Sequence, residues 1–408
     1  MGIASVIISI PFEGCMITDS ISIYPIEAIL GIIVFALIFR GIFEGYNNYF
    51  GNMKLVYYCI PFVVCILLSA VTSIDLSLTV KEIVRWLELF LIYYITLNLV
   101  SDEKKMRIIL YSMFLTVAIV SVLEIINYFS SFETDVNIGA RACLFFGNVN
   151  PFAGYVNLIM PVAFGMMMAS VLLWERMVLG ALMVIYIIAW AFLFSKSGYL
   201  SLMLSIVLVL LLVKPRKGVL LLVKSKKQVF LAFATLFAIF AITFLFSDIR
   251  EDFIGRVRLQ QLLTSLGFRT MCYSVGFNMV RDNLILGIGI GNYPSDIVKF
   301  ATNYYMVKHH LHSLYLQILA ETGIMGFSAF VFWLVCIIKY LVNSLKSFEK
   351  SRDYWPFAGL MGGVIVYLFN NLTDVLIVHG IHLQWGIILG LAVVLTQFRE
   401  SETCPKTT

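Results

Sequence analysis

KHHLHSLYLQILAETGIMG, residues 308–326, opens an apolar run that continues to residue 341 and decides how the rest of the chain is read. From Leu311 to Met325 the stretch is hydrophobic enough to enter a bilayer. At helical spacing, however, His310, Ser313, Gln317 and Glu321 form one polar stripe. Polar groups facing lipid are expensive, so such a stripe faces protein or a water-filled cavity. The stretch therefore predicts a wet chamber where a spanning helix begins.

The chain has 408 residues, 61% hydrophobic and 13% charged, with a mean hydropathy of +0.93. A soluble chain carries about 25% charged residues, so this is an all-α integral membrane protein, a single polytopic domain over 1–408. A span needs roughly 20 apolar residues. Twelve stretches qualify: 2–17, 20–39, 54–74, 80–100, 106–129, 150–173, 177–195, 198–213, 228–247, 313–341, 355–376 and 380–398. The first is short and interrupted by Pro11 and Glu13; without a basic n-region or a small-residue cleavage site, it does not read as a signal peptide.

With both termini placed in the cytoplasm, most of the 29 basic residues fall on inside segments, as positive-inside topology requires. The net charge of +5 mostly reports that bias, and no nucleic-acid partner is implied. KPRKGVLLLVKSKK (214–227) reads as a topology anchor first and an anionic-lipid contact second. The seven cysteines show no metal-ligand spacing, and a Cys143–Cys272 pair on the outside stays open.

Two outside segments stand out, 129–149 and 248–312. In the second, the large loop between spans nine and ten, GFRTMCYSVGFNMVRD (267–282) has the spacing of an amphipathic helix. Ser265 is placed to cap it, Asn283 to end it, and GIGIGN (287–292) follows as a hinge-like run. This loop is basic where outside segments should be depleted of positive charge. Arg250, Arg256, Arg258, Arg269, Arg281, Lys299 and Lys308 lie in it, and Arg141, Lys196, Lys81 and Arg85 share its side of the membrane. Ion pairing within the loop accounts for single residues; for the whole set a site for an anionic ligand is the better account.

The run GFRTMCYSVGFNMVRDNLILGIGIGNY, a gap, then HSLYLQILAETGIMG resembles the shared region of the O-antigen ligase and O-antigen polymerase family. His312-Ser313, nine residues, then Gly323 and Gly326 match that family's signature, although Phe327-Ser328 stand where ligases often carry two threonines. RACLFFGNVNPFAGYV (141–156) and FSKSGYLSL (194–202) resemble two further family stretches, with Lys196 replacing an arginine, and the likeness covers roughly 140–330. The resemblance implies a GT-C-like membrane glycosyltransferase. Such an enzyme moves a glycan from an undecaprenyl-diphosphate carrier to an acceptor sugar hydroxyl, on a glycan or a lipid-linked acceptor, at the outer face of the bacterial cytoplasmic membrane. Polymerisation of a surface polysaccharide and ligation to a lipopolysaccharide core both stay open, and no cofactor is implied.

The residues agree with that chemistry. A carrier diphosphate is already a good leaving group, and its developing charge needs fixed cations. Arg269 is the first candidate, then Arg141 and Lys196, with Arg256 and Arg258 as further substrate contacts; interfacial snorkelling is the plainer reading of each. His312 is the candidate base for the acceptor hydroxyl, against a capping or core role. Gln317 and Glu321 lie one and two turns further in, to orient the base or hold the acceptor, Glu321 also being open as a partner of an arginine. His309 and His312 offer no open three-ligand set, so no metal is expected. Asn370, Asn371 and Asp374 either line the cavity or bond helix to helix. A secondary transporter of a small anion is the competing class, but such proteins keep their ionisable residues near the midplane, whereas here they crowd the outer edge.

Overall fold

The computed structural model describes residues 2–11, 15–18, 21–23, 27–33, 35–36, 54–130, 144–193, 195–212, 259–300, 310–349 and 351–403. The order is α1 (Gly2–Ser9), a two-stranded antiparallel ribbon β1 (Cys15–Thr18) and β2 (Ile21–Ile23), α2 (Lys54–Ser69), α3 (Leu76–Leu99), α4 (Glu103–Ser130) and α5 (Val149–Ala169). There follow α6 (Leu173–Leu193), α7 (Lys196–Leu212), α8 (Leu259–Asp282), α9 (Tyr293–Phe300), α10 (Leu314–Ser347), α11 (Tyr354–Thr373) and α12 (Ile381–Thr403).

Among the described residues seven helices are long and apolar enough to cross a membrane: those beginning at Leu55, Glu103, Val149, Leu173, Leu314, Tyr354 and Ile381. The expected count of twelve is not reached by these. Stretch 228–247 lies outside the described residues, as do residues 20, 24–26, 34 and 37–39 of stretch 20–39. Stretch 2–17 is not one span: α1 stops at Ser9, two residues before Pro11, and the chain turns into the ribbon. α7 is apolar but short. α3 carries Lys81, Glu82 and Arg85 in its first half and Glu88 just past its middle, so only the part beyond Glu88 is fit for lipid.

Because the helices alternate in direction, their ends sort into two groups. One end of the bundle gathers the 69–76 corner, the end of α4, the starts of α5, α7 and α10, the end of α11 and the start of α12. The other gathers Lys104, Lys105, Arg107, Arg176, Lys346, Arg352 and Arg399. Close helix contact rests on small residues. A Cβ at Gly165 would lie 2.3 Å from the Trp355 carbonyl oxygen, and one at Gly363 2.7 Å from that of Leu158. Such contacts bring α5 and α11 backbone to backbone, the means of association left to helices when lipid is as apolar as their side chains.

Candidate active site

The apolar run of α10 is broken. Gly323 sits at φ 64°, ψ −170° between two helical halves, which would strand carbonyls of the first half and amides of the second. The turn after α8 takes both. Ile288 and Gly289 donate their N–H to the carbonyls of Ala320 (3.1 Å) and Glu321 (2.9 Å), and the Leu284 carbonyl accepts from Ile324 N–H at 2.9 Å. Contact is so close that a Cβ at Gly323 would lie 2.2 Å from the Ile285 carbonyl oxygen. The pair of glycines in the G-x-x-G run thus has a physical reason: Gly323 makes the break, and a Cβ at Gly326 would strike the Thr322 side chain.

The same turn is clamped on its other side. Asn292 is buried; its Oδ1 accepts from Asp75 N–H at 2.6 Å and its Nδ2 donates to Thr79 Oγ1 at 2.6 Å. Ile290 N–H donates to Ser69 Oγ at 3.1 Å. The GIGIGN run, expected as a hinge, is therefore a fixed strut between the α2–α3 corner and α10. Its three glycines, all at positive φ, pack against backbone and side chains on both sides. The expected helix after Ser265 exists but starts earlier, at Leu259, so Ser265 lies inside α8 rather than at its start; the helix ends before Asn283 as read.

α8 is thereby held against the start of α10. The Phe268 ring lies 5.9 Å from the His312 ring, edge to face, and Tyr273 donates its hydroxyl to the His312 carbonyl at 3.2 Å. His312 has φ 53°, the left-handed region, an uncommon posture for a residue with a side chain and a mark of sites where function constrains the backbone. Its Nδ1 stands 3.8 Å from Asp374 Oδ1, beyond hydrogen-bond length but within ion-pair reach. Asp374 ends α11. Its backbone carbonyl accepts from Leu314 N–H at 3.1 Å, its Oδ1 from Val375 N–H at 2.9 Å, and its buried Oδ2 has no partner among the described residues.

Arg269 follows Phe268 on α8. Burial pushes the Tyr273 phenol up, the Arg269 charge pulls it down, and Asp374 pushes it up again, so both charges act on one hydroxyl. Burial likewise raises the neighbouring Cys272 thiol, against Arg269. Tyr273 thus joins the His312 backbone to α8, and Arg269 lies one turn before it on the same helix. Arg269 and His312 were read from the sequence. Phe268 entered only as one apolar position of the amphipathic helix, and Tyr273 carried no signal of its own. Asp374 had been left open.

The other candidates separate. Gln317 donates to Glu321 Oε1 at 3.2 Å, and the same oxygen accepts from Tyr293 N–H at 3.2 Å. Glu321 is 1% exposed; these bonds hold the strut, and they run to an amide and a backbone N–H rather than to the arginine considered for it. Ser313 is the N-cap of α10, so the polar stripe starts at a cap and its inner members face the strut. His310 is exposed. Lys196 is exposed at the start of α7, on the same end of the bundle. Its neighbours Ser195 and Ser197 donate to Asn150 Oδ1 at 2.8 and 3.4 Å, and Ser201 donates to Asn370 Oδ1 at 2.8 Å. That chain of bonds ties the 147–156 and 194–202 stretches to the turn bearing Asp374. Arg141, Arg256, Arg258 and Cys143 lie outside the described residues.

Residues 181–331 match a family model whose description is O-antigen ligase. The match takes in Lys196, Arg269, the strut, His312 and the G-x-x-G break. No curated protein matches the chain.

Proposed function

From the premise that residues 181–331 carry an O-antigen ligase domain, we propose that this membrane protein transfers a glycan from an undecaprenyl-diphosphate carrier to an acceptor sugar hydroxyl. What supports the reading is that α8, which bears Arg269, packs on His312 through Phe268 and Tyr273, and that His312 faces Asp374 at one end of the bundle. That end lies opposite Lys104, Lys105, Arg107, Arg176, Lys346, Arg352 and Arg399, so positive-inside topology turns the site outward.

The acceptor oxygen attacks the anomeric carbon of the donor sugar as its bond to the diphosphate breaks, and the diphosphate leaves with the electron pair. Arg269 holds the developing charge on the phosphate oxygens. His312 takes the acceptor proton, and Asp374 faces the imidazolium so formed, in the way a buried carboxylate orients and steadies a general base. Tyr273 fixes the backbone of His312 to the helix bearing Arg269. Lys196, Arg141, Arg256 and Arg258 are assigned to the carrier or the incoming glycan. No step calls for a metal.

Phe327-Ser328, in place of a threonine pair, favours a polymerase, whose acceptor is a growing chain, over a core ligase. Reconstitution with a defined lipid-diphosphate oligosaccharide separates the two. A ladder of repeats is the expected product. A single transfer onto a lipid-linked core sugar would replace the polymerase by the ligase, and no transfer to either acceptor would overturn the enzyme reading.

A further inference from the structure

α8 has two unlike faces. Cys272, Val275 and Met279 are buried on the inside, where Val275 and Met279 pack in one cluster with Leu311. On the outside Phe277 is 60% exposed, and the turn after the helix exposes Leu284 by 56% and Ile285 by 63%. Arg281 and Asp282, also exposed, lie between them.

The register of α8 on α10 shows where this patch stands. Phe268 meets His312, a Cβ at Gly276 would touch Leu311 and Leu316, and the Leu284 carbonyl bonds Ile324 N–H. α8 therefore runs parallel to the first half of α10, away from His312, and its foot reaches the level of the Gly323 break. The 34 residues of α10 would rise about 51 Å at 1.5 Å each, against a hydrocarbon core of ~30 Å. Measured back from Lys339 at the basic end, roughly 20 residues of core end near Leu319, so Gly323 and Met325 fall within the acyl layer. Ile324, Met325, Phe332 and Val335 are exposed along this part of α10 as its lipid-facing side. Leu284 and Ile285, bonded through their carbonyls to Ile324 and Met325, extend that lipid-facing surface sideways without a gap.

We propose that the foot of α8, formed by Leu284 and Ile285, is embedded in the acyl layer of the leaflet on the His312 side, with Arg281 and Phe277 above it toward the headgroups. Its occupant is bilayer lipid, because the patch adjoins the exposed apolar side of a helix long and apolar enough to span and carries its one cation one turn nearer the water. The placement does not depend on the reaction proposed above. It gives the helix that bears Arg269 two supports, the glycine strut and the membrane.

The test places a small fluorescent amino acid at Ile285 in the full chain, in nanodiscs of phosphatidylcholine and phosphatidylglycerol, and a second probe at Thr270, an exposed polar position on the same helix. Nitroxide on the lipid acyl chains should quench the probe at 285 several-fold more strongly than that at 270, and aqueous iodide should do the reverse. A probe at Leu284, exposed beside Ile285, repeats the measurement should the 285 variant fail to fold. Equal iodide quenching at 285 and 270 overturns the proposal. So does shielding from both quenchers, which would mean that protein, a second copy or another part of this chain, covers the foot.

Discussion

The two ends of the bundle handle charge in opposite ways. At the basic end Glu175 is saturated: Arg107 donates to it at 3.0 Å, Ser170 at 2.6 Å, and Tyr111 through its hydroxyl, while Arg176 caps the Ser170 carbonyl at 2.6 Å. At the other end His312 and Asp374 stand 3.8 Å apart, Asp374 keeps a buried oxygen without a partner among the described residues, and His312 holds a left-handed backbone. A carboxylate spent on protein donors stabilises a fold. One left under-bonded beside an imidazole is available for a proton or a substrate. The difference is the one expected between a structural joint and the proposed reacting centre.

Substitutions at the two ends should therefore divide between activity and stability. The largest effect is expected at His312: His312→Ala should slow transfer about 10²–10⁴-fold, the usual worth of a general base. The thermal midpoint should stay near that of the unaltered protein; an unfolded variant would assign His312 to the fold instead. Next comes Gly323→Ala, which puts a side chain at φ 64° and a Cβ 2.2 Å from a carbonyl oxygen. It should cost several kcal/mol, on the order of the larger strain and overpacking penalties, and be seen as lost folded protein on gel filtration. Gly267→Ala is its control: a Cβ there meets nothing within 4 Å, and the change should be neutral or stabilise by up to ~1 kcal/mol.

A direct contrast pairs Asp374→Asn with Glu175→Gln. Asp374→Asn should lower turnover by about tenfold or more with little change in melting, as for a carboxylate that steadies a base. Glu175→Gln should lower the melting point, through a loss of about 1–3 kcal/mol of charge-assisted hydrogen bonding, and leave turnover per folded molecule intact. If the two exchange phenotypes, the distinction between the ends fails. The smallest effect is expected at Lys196. Lys196→Ala should raise KM for the donor a few-fold, since an exposed ammonium in water contributes ~1 kcal/mol or less.

Much of this end was legible in the sequence because charge is costly near lipid. Arg269 and His312 stood out as a cation and an imidazole at the edge of apolar runs, and the resemblance to the family signature singled out His312 among the neighbouring histidines. The glycine run was misread for a definite reason. Glycine permits both a loose hinge and a tight approach of two backbones, and only the orphan amides and carbonyls at the Gly323 break decide between them. Glu321 was ambiguous in the same way: the stripe located a polar partner but not that the partner is the Tyr293 amide. Asp374 lies 62 residues beyond His312, and no local pattern connects the end of one helix with the start of another. The charged first half of α3 passed as a span because its apolar second half dominates the average.

The central claim, that Arg269 grips the donor diphosphate while His312 serves the acceptor, is tested most directly by measuring donor binding and transfer in the same two variants. In a nanodisc assay with a defined lipid-diphosphate oligosaccharide, Arg269→Ala should lose both donor binding and transfer. His312→Ala should keep donor affinity within about threefold, a difference of less than 1 kcal/mol, and lose transfer. Near-native transfer by either folded variant, or loss of donor binding in His312→Ala alone, would contradict that division of labour.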